Sequence, residues 1–158
     1  METMQNPYMA RAIELSLENV RSGRGGPFAA VVVKDGKIIA EGTNRVTSAN
    51  DPTAHAEIVA IREASRVLKH FQLTGCEIYT TCEPCPMCMG AIYWARSARV
   101  YFATTAADAA RYGFDDSFIC EELRRPWRQR KIPMTQIMHE QALAVFSLWE
   151  QKADKVEY

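Results

Sequence analysis

Residues 77–103 read EIYTTCEPCPMCMGAIYWARSARVYFA, and three structural signals follow one another in them. Glu77 to Thr81 has the β-branched and aromatic residues of a strand, Met87 to Arg96 reads as a helix, and Ala98 to Ala103 reads as a second strand. Helices alternating with strands in this way predict an α/β layer fold.

The reading extends in both directions. Towards the N-terminus, Asp51 can cap a helix that begins with Pro52, with Ile58, Ile61, Ala64 and Leu68 on one face. Phe28 to Val33 and Ile38 to Glu41 are strand-like segments separated by Lys34, Asp35, Gly36 and Lys37, which predicts an antiparallel hairpin. Met9, Ala12, Ile13, Leu17 and Val20 follow helical spacing before the run ends in Gly23, Gly25, Gly26 and Pro27. Towards the C-terminus the pattern loosens: residues 108–130 lack clear periodicity, and Leu143, Phe146, Ser147 and Glu150 predict a last helix. No repeat or interdomain linker interrupts the chain, so residues 1–158 are expected to form one domain.

Composition narrows the function classes. Lys plus Arg and Asp plus Glu number 19 each, which leaves no general excess of charge for a polyanion and argues against a nucleic-acid partner. Met1 to Ala10 has neither a basic start nor an apolar run, and no later stretch reaches membrane-spanning length, so a cytoplasmic protein without a membrane partner is expected. Of five cysteines, Cys82, Cys85 and Cys88 crowd together, which suits metal binding better than a disulfide framework.

Cys85 and Cys88 are three apart, so in the first turn of a helix they project from one face and can grip one ion. The positive end of the helix favours their thiolates, which zinc accepts readily. His55 supplies a third ligand, and three protein ligands leave a fourth position for water, whose pKa falls to about 7 on catalytic zinc and makes a hydroxide available. On a regular helix Glu57 points away from His55, so it reads as a proton carrier rather than a ligand. The bland alternative is a closed structural site of Cys82, Cys85, Cys88 and His55, with no open position. The sequences HAE (55–57) and PCPMC (84–88) favour the catalytic form, because that pairing marks zinc deaminases.

On these residues the chain resembles the cytidine deaminase superfamily, and PFAAVVVKDGKIIAEGTN and GAIYWARSARVYFA look like its flanking strands and helices. Within it, NDPTAHAE, TCEPCPMCMGAIYWAR, GFDDSF and the aromatic C-terminal residue Tyr158 are similar to bacterial guanine deaminases. The resemblance implies a three-layer α/β/α sandwich around a five-stranded mixed sheet, and a homodimer whose C-terminal segments, from about residue 108, exchange to complete the partner's active site. It also implies zinc held by His55, Cys85 and Cys88, proton transfer by Glu57, and a hydrogen bond from Asn44 to the base. Asp116 and Tyr158 become substrate contacts on the same ground, with Phe28 and Trp94 as walls of a base pocket.

Each supporting residue also has an ordinary reading. Asn44 can stabilise a turn, Asp115 and Asp116 can cap a helix, Phe28 and Trp94 can be core or interface residues, and Tyr158 can belong to a frayed end. Arg124, Arg125, Arg128, Arg130 and Lys131 around Trp127 read as a solvated face or subunit contact. The leading function is hydrolytic deamination of the free base guanine. A tRNA adenosine deaminase, a cytosine or aminotriazine deaminase, and a non-catalytic zinc-stapled interaction module are the alternatives.

Overall fold

Helix α1 (Pro7–Arg21) starts where its first N–H groups find a partner: the Asn6 side chain accepts from the backbone of Tyr8 at 3.0 Å and of Met9 at 2.9 Å, and Pro7 takes the first position. The computed structural model describes residues 5–158; the first four residues, which the single-domain and leader readings include, lie outside the described residues. Strands β1 (Ala29–Lys34) and β2 (Lys37–Thr43) follow, then α2 (Ala56–Leu68), β3 (Glu77–Cys82), α3 (Pro86–Trp94) and β4 (Arg99–Thr104). The expected hairpin is present: Asp35 and Gly36 have φ of 49° and 73°, the left-handed pair that a two-residue turn demands.

The sheet order is β2-β1-β3-β4, with β1 antiparallel to both neighbours and β4 parallel to β3. Successive residues of β1 face opposite sides. Val31 and Val33 pack with Ala12 and Leu15 of α1, while Ala30 and Val32 pack with Ala56, Ala60 and Ala64 of α2 and Ile92 of α3. Helices therefore cover both faces of a mixed sheet, the three-layer α/β arrangement. This two-sided burial explains why β1 reads as a continuous apolar run.

Two expectations are corrected. Among the described residues the sheet has four strands rather than five. After β4 the chain favours helix instead: Thr105 and Asp108 form a capping box for α4 (Ala106–Arg111), and later segments form α5 (Ser117–Arg124), a 3₁₀ turn at Trp127–Gln129 and α6 (His139–Gln151). Helix α2 begins at Ala56, not at Pro52. Asp51 Oδ1 instead accepts from the Thr53 backbone at 2.8 Å and its hydroxyl at 2.7 Å, a local turn that competes with helix.

The chain divides into two compact units, the first ending at Asp116 and the second spanning Ser117–Tyr158. No residue of the second unit is buried. Among the described residues no helix is long and apolar enough to cross a membrane.

Close approach of α2 to the sheet sets the position of everything that follows. A Cβ on Gly42 of β2 would lie 2.3 Å from the Ala56 carbonyl oxygen and 2.5 Å from the Ala60 nitrogen. Both are backbone atoms and cannot swing aside. Gly42→Ala is expected to lower stability by about 1–3 kcal/mol through overpacking, measured by urea denaturation of the zinc-loaded protein. An unchanged midpoint would mean that α2 rests less tightly on β2 than this contact requires.

Candidate active site

Two helix N-termini meet at the site. His55 is the N-cap of α2 (φ −67°, ψ 156°) and Cys85 is the N-cap of α3 (φ −65°, ψ 168°), and neither side chain caps its own helix. Cys85 Sγ lies 3.5 Å from His55 Nδ1, and Cys88 Sγ, in the first turn of α3, lies 3.6 Å from the same nitrogen. All three donor atoms fall within 4.8 Å of one another. Tetrahedral zinc with Zn–S of about 2.3 Å and Zn–N of about 2.0–2.1 Å requires sulfur–nitrogen edges of roughly 3.6 Å. The donor set therefore fits zinc in chemistry and in spacing.

The extended backbone of His55 changes the argument about Glu57. Helical angles do not relate the two side chains, because His55 stands outside the helix. Both consequently reach one place: Glu57 Oε2 is 3.5 Å from Cys88 Sγ. Glu57 is only 6% exposed, and its Oε1 accepts from the Thr80 hydroxyl at 3.2 Å. Burial pushes its carboxyl above the usual range, partly opposed by its own backbone N–H at the helix start. A carboxyl so placed holds a proton to higher pH than a solvated glutamate.

The ligand groups share protons among themselves. A hydrogen bond from Cys88, reinforced by His55, lowers Cys85 to about 4, so Cys85 is a thiolate at neutral pH. That thiolate and burial push Cys88 upward, and the same thiolate raises His55. Cys82 behaves differently. Its sulfur donates to the Thr105 carbonyl at 3.7 Å, burial raises its pKa, and it is absent from the ligand cluster. Among the described residues the cluster holds three donors and not Cys82, so a zinc bound there would keep a fourth position for water.

A cavity of about 580 Å³ opens over these residues, a size suited to a small molecule. His55, Glu57 and Cys85 line it, together with Asn44, Phe28 and Asp116. Asn44 uses its Oδ1 to accept from the Val46 backbone at 3.2 Å. Phe28 meets Phe114, a further wall, edge to face with centroids 4.9 Å apart. Asp116 is half-buried, and burial followed by the nearby Cys85 charge raises its carboxyl.

Trp94 does not line this cavity. It ends α3, nine positions after Cys85 and about 13 Å along the helix axis, and is 62% exposed with the Arg96 guanidinium 6.0 Å from its ring. Tyr158 is exposed at the end of the second unit. In that unit the basic run folds on itself: Arg130 donates to the carbonyls of Arg125 and Leu123, and Arg128 stacks 4.2 Å from the Trp127 ring. Sequence reasoning passed over Phe114 and Thr80. Thr80, a hydroxyl in the middle of a strand's buried face, was the readable signal of the two.

Residues 2–104 match the family model of the cytidine and deoxycytidylate deaminase zinc-binding region, and the chain belongs to this family of zinc-binding deaminases. It is 54% identical over 151 residues to the guanine deaminase of Bacillus subtilis, a match covering 96% of this chain and 97% of that one. The crystal structure of a Bacillus subtilis guanine deaminase superposes with a TM-score of 0.94 at 53% identity, covering 98% and 99% of the two chains. A guanine deaminase structure from Nitrosomonas europaea gives a TM-score of 0.66 at 36% identity, over 71% of this chain and 66% of that one. The tRNA-specific adenosine deaminase of Aquifex aeolicus is 48% identical over 77 residues, 49% of this chain and 51% of that enzyme.

Zinc content separates the ligands from their neighbour. Cys88→Ser and His55→Ala are expected to weaken zinc retention by about 10²-fold or more, whereas Cys82→Ser keeps one zinc per chain. Metal analysis after dialysis against a weak chelator reads this directly, and loss of zinc from Cys82→Ser would restore the closed site.

Proposed function

We propose that the protein hydrolyses guanine to xanthine and ammonia. The observation that carries this reading is the near full-length likeness to the Bacillus subtilis guanine deaminase, combined with a cluster of three donors suited to zinc beside a buried carboxyl. The likeness to the Aquifex aeolicus tRNA-specific adenosine deaminase spans 49% of this chain.

His55, Cys85 and Cys88 would hold the zinc, which would lower the pKa of water to about 7 and so supply a nucleophile at neutral pH. Glu57 would take one proton from the attacking water and pass it to a ring nitrogen, then move the second proton, from the hydroxyl so formed on the ring carbon, to the departing amine, with Thr80 holding one carboxylate oxygen throughout. Asn44 has its oxygen engaged by backbone, so its amide nitrogen donates to an acceptor on the guanine edge, O6 or N7. Asp116 accepts from guanine's ring N–H and amine donors, and Phe28 forms an apolar wall for the ring.

The second unit supports a homodimer. Its 42 residues bury none of their side chains, and α6 carries Leu143, Val145, Phe146, Leu148 and Trp149, each at least 41% exposed. A helix apolar on several faces requires cover. Exchange of C-terminal segments with a second copy supplies it, and brings Tyr158 into the partner's site as a substrate contact. The first unit offers further apolar surface at Tyr93, Trp94 and Phe102. A cytoplasmic location suits this chain, because a reducing compartment keeps the ligand thiols free.

Zinc-loaded protein incubated separately with guanine, adenine, cytosine and guanosine tests the reading by ammonia release. Turnover of guanine is expected, with kcat reduced about 10²–10⁴-fold in Glu57→Gln while zinc is retained. Turnover of a different base, or none with zinc intact, contradicts it. Light scattering is expected to give twice the 17.8 kDa chain mass, and a monomer of full activity would exclude segment exchange.

A further inference from the structure

Asn19 is buried, 1% exposed, near the C-terminal end of α1, and it does not line the active cavity. A buried amide needs partners for its donors. Its Nδ2 donates to the Gly26 carbonyl at 2.9 Å and to the Asn44 carbonyl at 3.0 Å. Both partners are acceptors, so the amide nitrogen must face them and the side-chain orientation is determined. Asn19 Oδ1 is left buried without a partner among the described residues, which marks the two donated bonds as the ones this residue serves.

The two carbonyls belong to residues that line the cavity and are joined to each other. The Gly26 N–H points to Asn44 Oδ1 at 3.5 Å, and the Val46 N–H donates to the same oxygen at 3.2 Å. The Asn44 backbone N–H donates to the Phe28 carbonyl at 3.0 Å. Gly25 closes the arrangement: a Cβ there would sit 2.0 Å from the Asn44 carbonyl oxygen and 3.1 Å from Asn19 Nδ2. The loop passes so near Asn44 that only glycine fits.

We infer that Asn19 is the positioning residue for Asn44, fixing the backbone of Asn44 and of Gly26 so that the Asn44 amide nitrogen is aimed at the base. The inference rests on the reading that Asn44 contacts the base. It assigns to α1, which packs on the opposite face of the sheet from α2 and α3, a part in base recognition through one amide. Specificity then depends on a residue that never touches substrate, because a hydrogen bond tolerates little displacement of its donor.

The test compares Asn19→Asp, which keeps the shape but replaces the donor with an acceptor, Asn19→Leu, Asn44→Ala and the double variant Asn19→Leu/Asn44→Ala. Guanine KM and the Ki of the product xanthine are measured on folded, zinc-loaded protein. KM and Ki are expected to rise about tenfold in each Asn19 variant, the equivalent of one neutral hydrogen bond, with kcat within about threefold. In the Asn44→Ala background Asn19→Leu should change KM by less than about twofold, since the group it aims is gone. Gly25→Ala leaves the Asn19 residue itself in place but crowds the Asn44 carbonyl that Asn19 holds, and should raise KM as well, which keeps the test open if an Asn19 variant does not fold. Asn44→Ala raising KM while the Asn19 and Gly25 variants leave it unchanged overturns the positioning role alone. So does a double variant in which the two effects multiply. An unchanged KM in Asn44→Ala overturns the base-contact reading, and the positioning role with it.

Discussion

The structure depends on His55 and Cys85 standing at the N-caps of two helices so placed that His55 Nδ1 and Cys85 Sγ lie 3.5 Å apart. An N-cap residue has extended backbone geometry, so its side chain leaves the helix axis and can turn towards a neighbour. Both helix ends also present partial positive charge to one small volume. The hydrogen bond from Cys88, with His55 beside it, lowers the Cys85 pKa to about 4 at this place. Polar chemistry buried among apolar layers would ordinarily be costly, and metal ligation by deprotonated groups is the arrangement that satisfies it.

The same geometry explains how a carboxyl is kept beside the ligands without becoming one. Glu57 lies on the first turn of α2, below Thr80 of β3 and beside Cys88 of α3, and so touches all the elements that hold the metal site. Gly42 lets α2 settle against β2 closely enough for this contact. Sheet, helices and proton carrier form one packed unit, in which a shift of α2 would move His55 and Glu57 together.

Most of the first hundred residues were legible because local and tertiary preferences agree there. β1 to β4 and α1 to α3 were each foreseen within a few residues, and the candidate metal cluster was read from the Cys85 and Cys88 spacing together with the HAE and PCPMC pairing that brings in His55. Where the reading failed, local signals competed. Asp51-Pro52 is a good helix start by composition, but Asp51 spends its carboxylate on Thr53, and the helix waits until Ala56. His55 and Glu57 seemed opposed only because a regular helix was assumed. The proposed substrate contacts were not legible from spacing at all: Asn44, Phe28 and Asp116 come from three separate segments, and only folding brings them to one cavity. From Ser117 on the pattern loosens because no residue of the second unit is buried, so periodicity has no core face to report.

The central claim is an open zinc site with three protein ligands, and the coordination sphere tests it most directly. X-ray absorption at the zinc edge of the loaded protein is predicted to show two sulfurs at about 2.3 Å and two nitrogen or oxygen neighbours at about 2.0–2.1 Å. Three sulfurs and one nitrogen would place Cys82 in the sphere, close the site to water, and contradict the account.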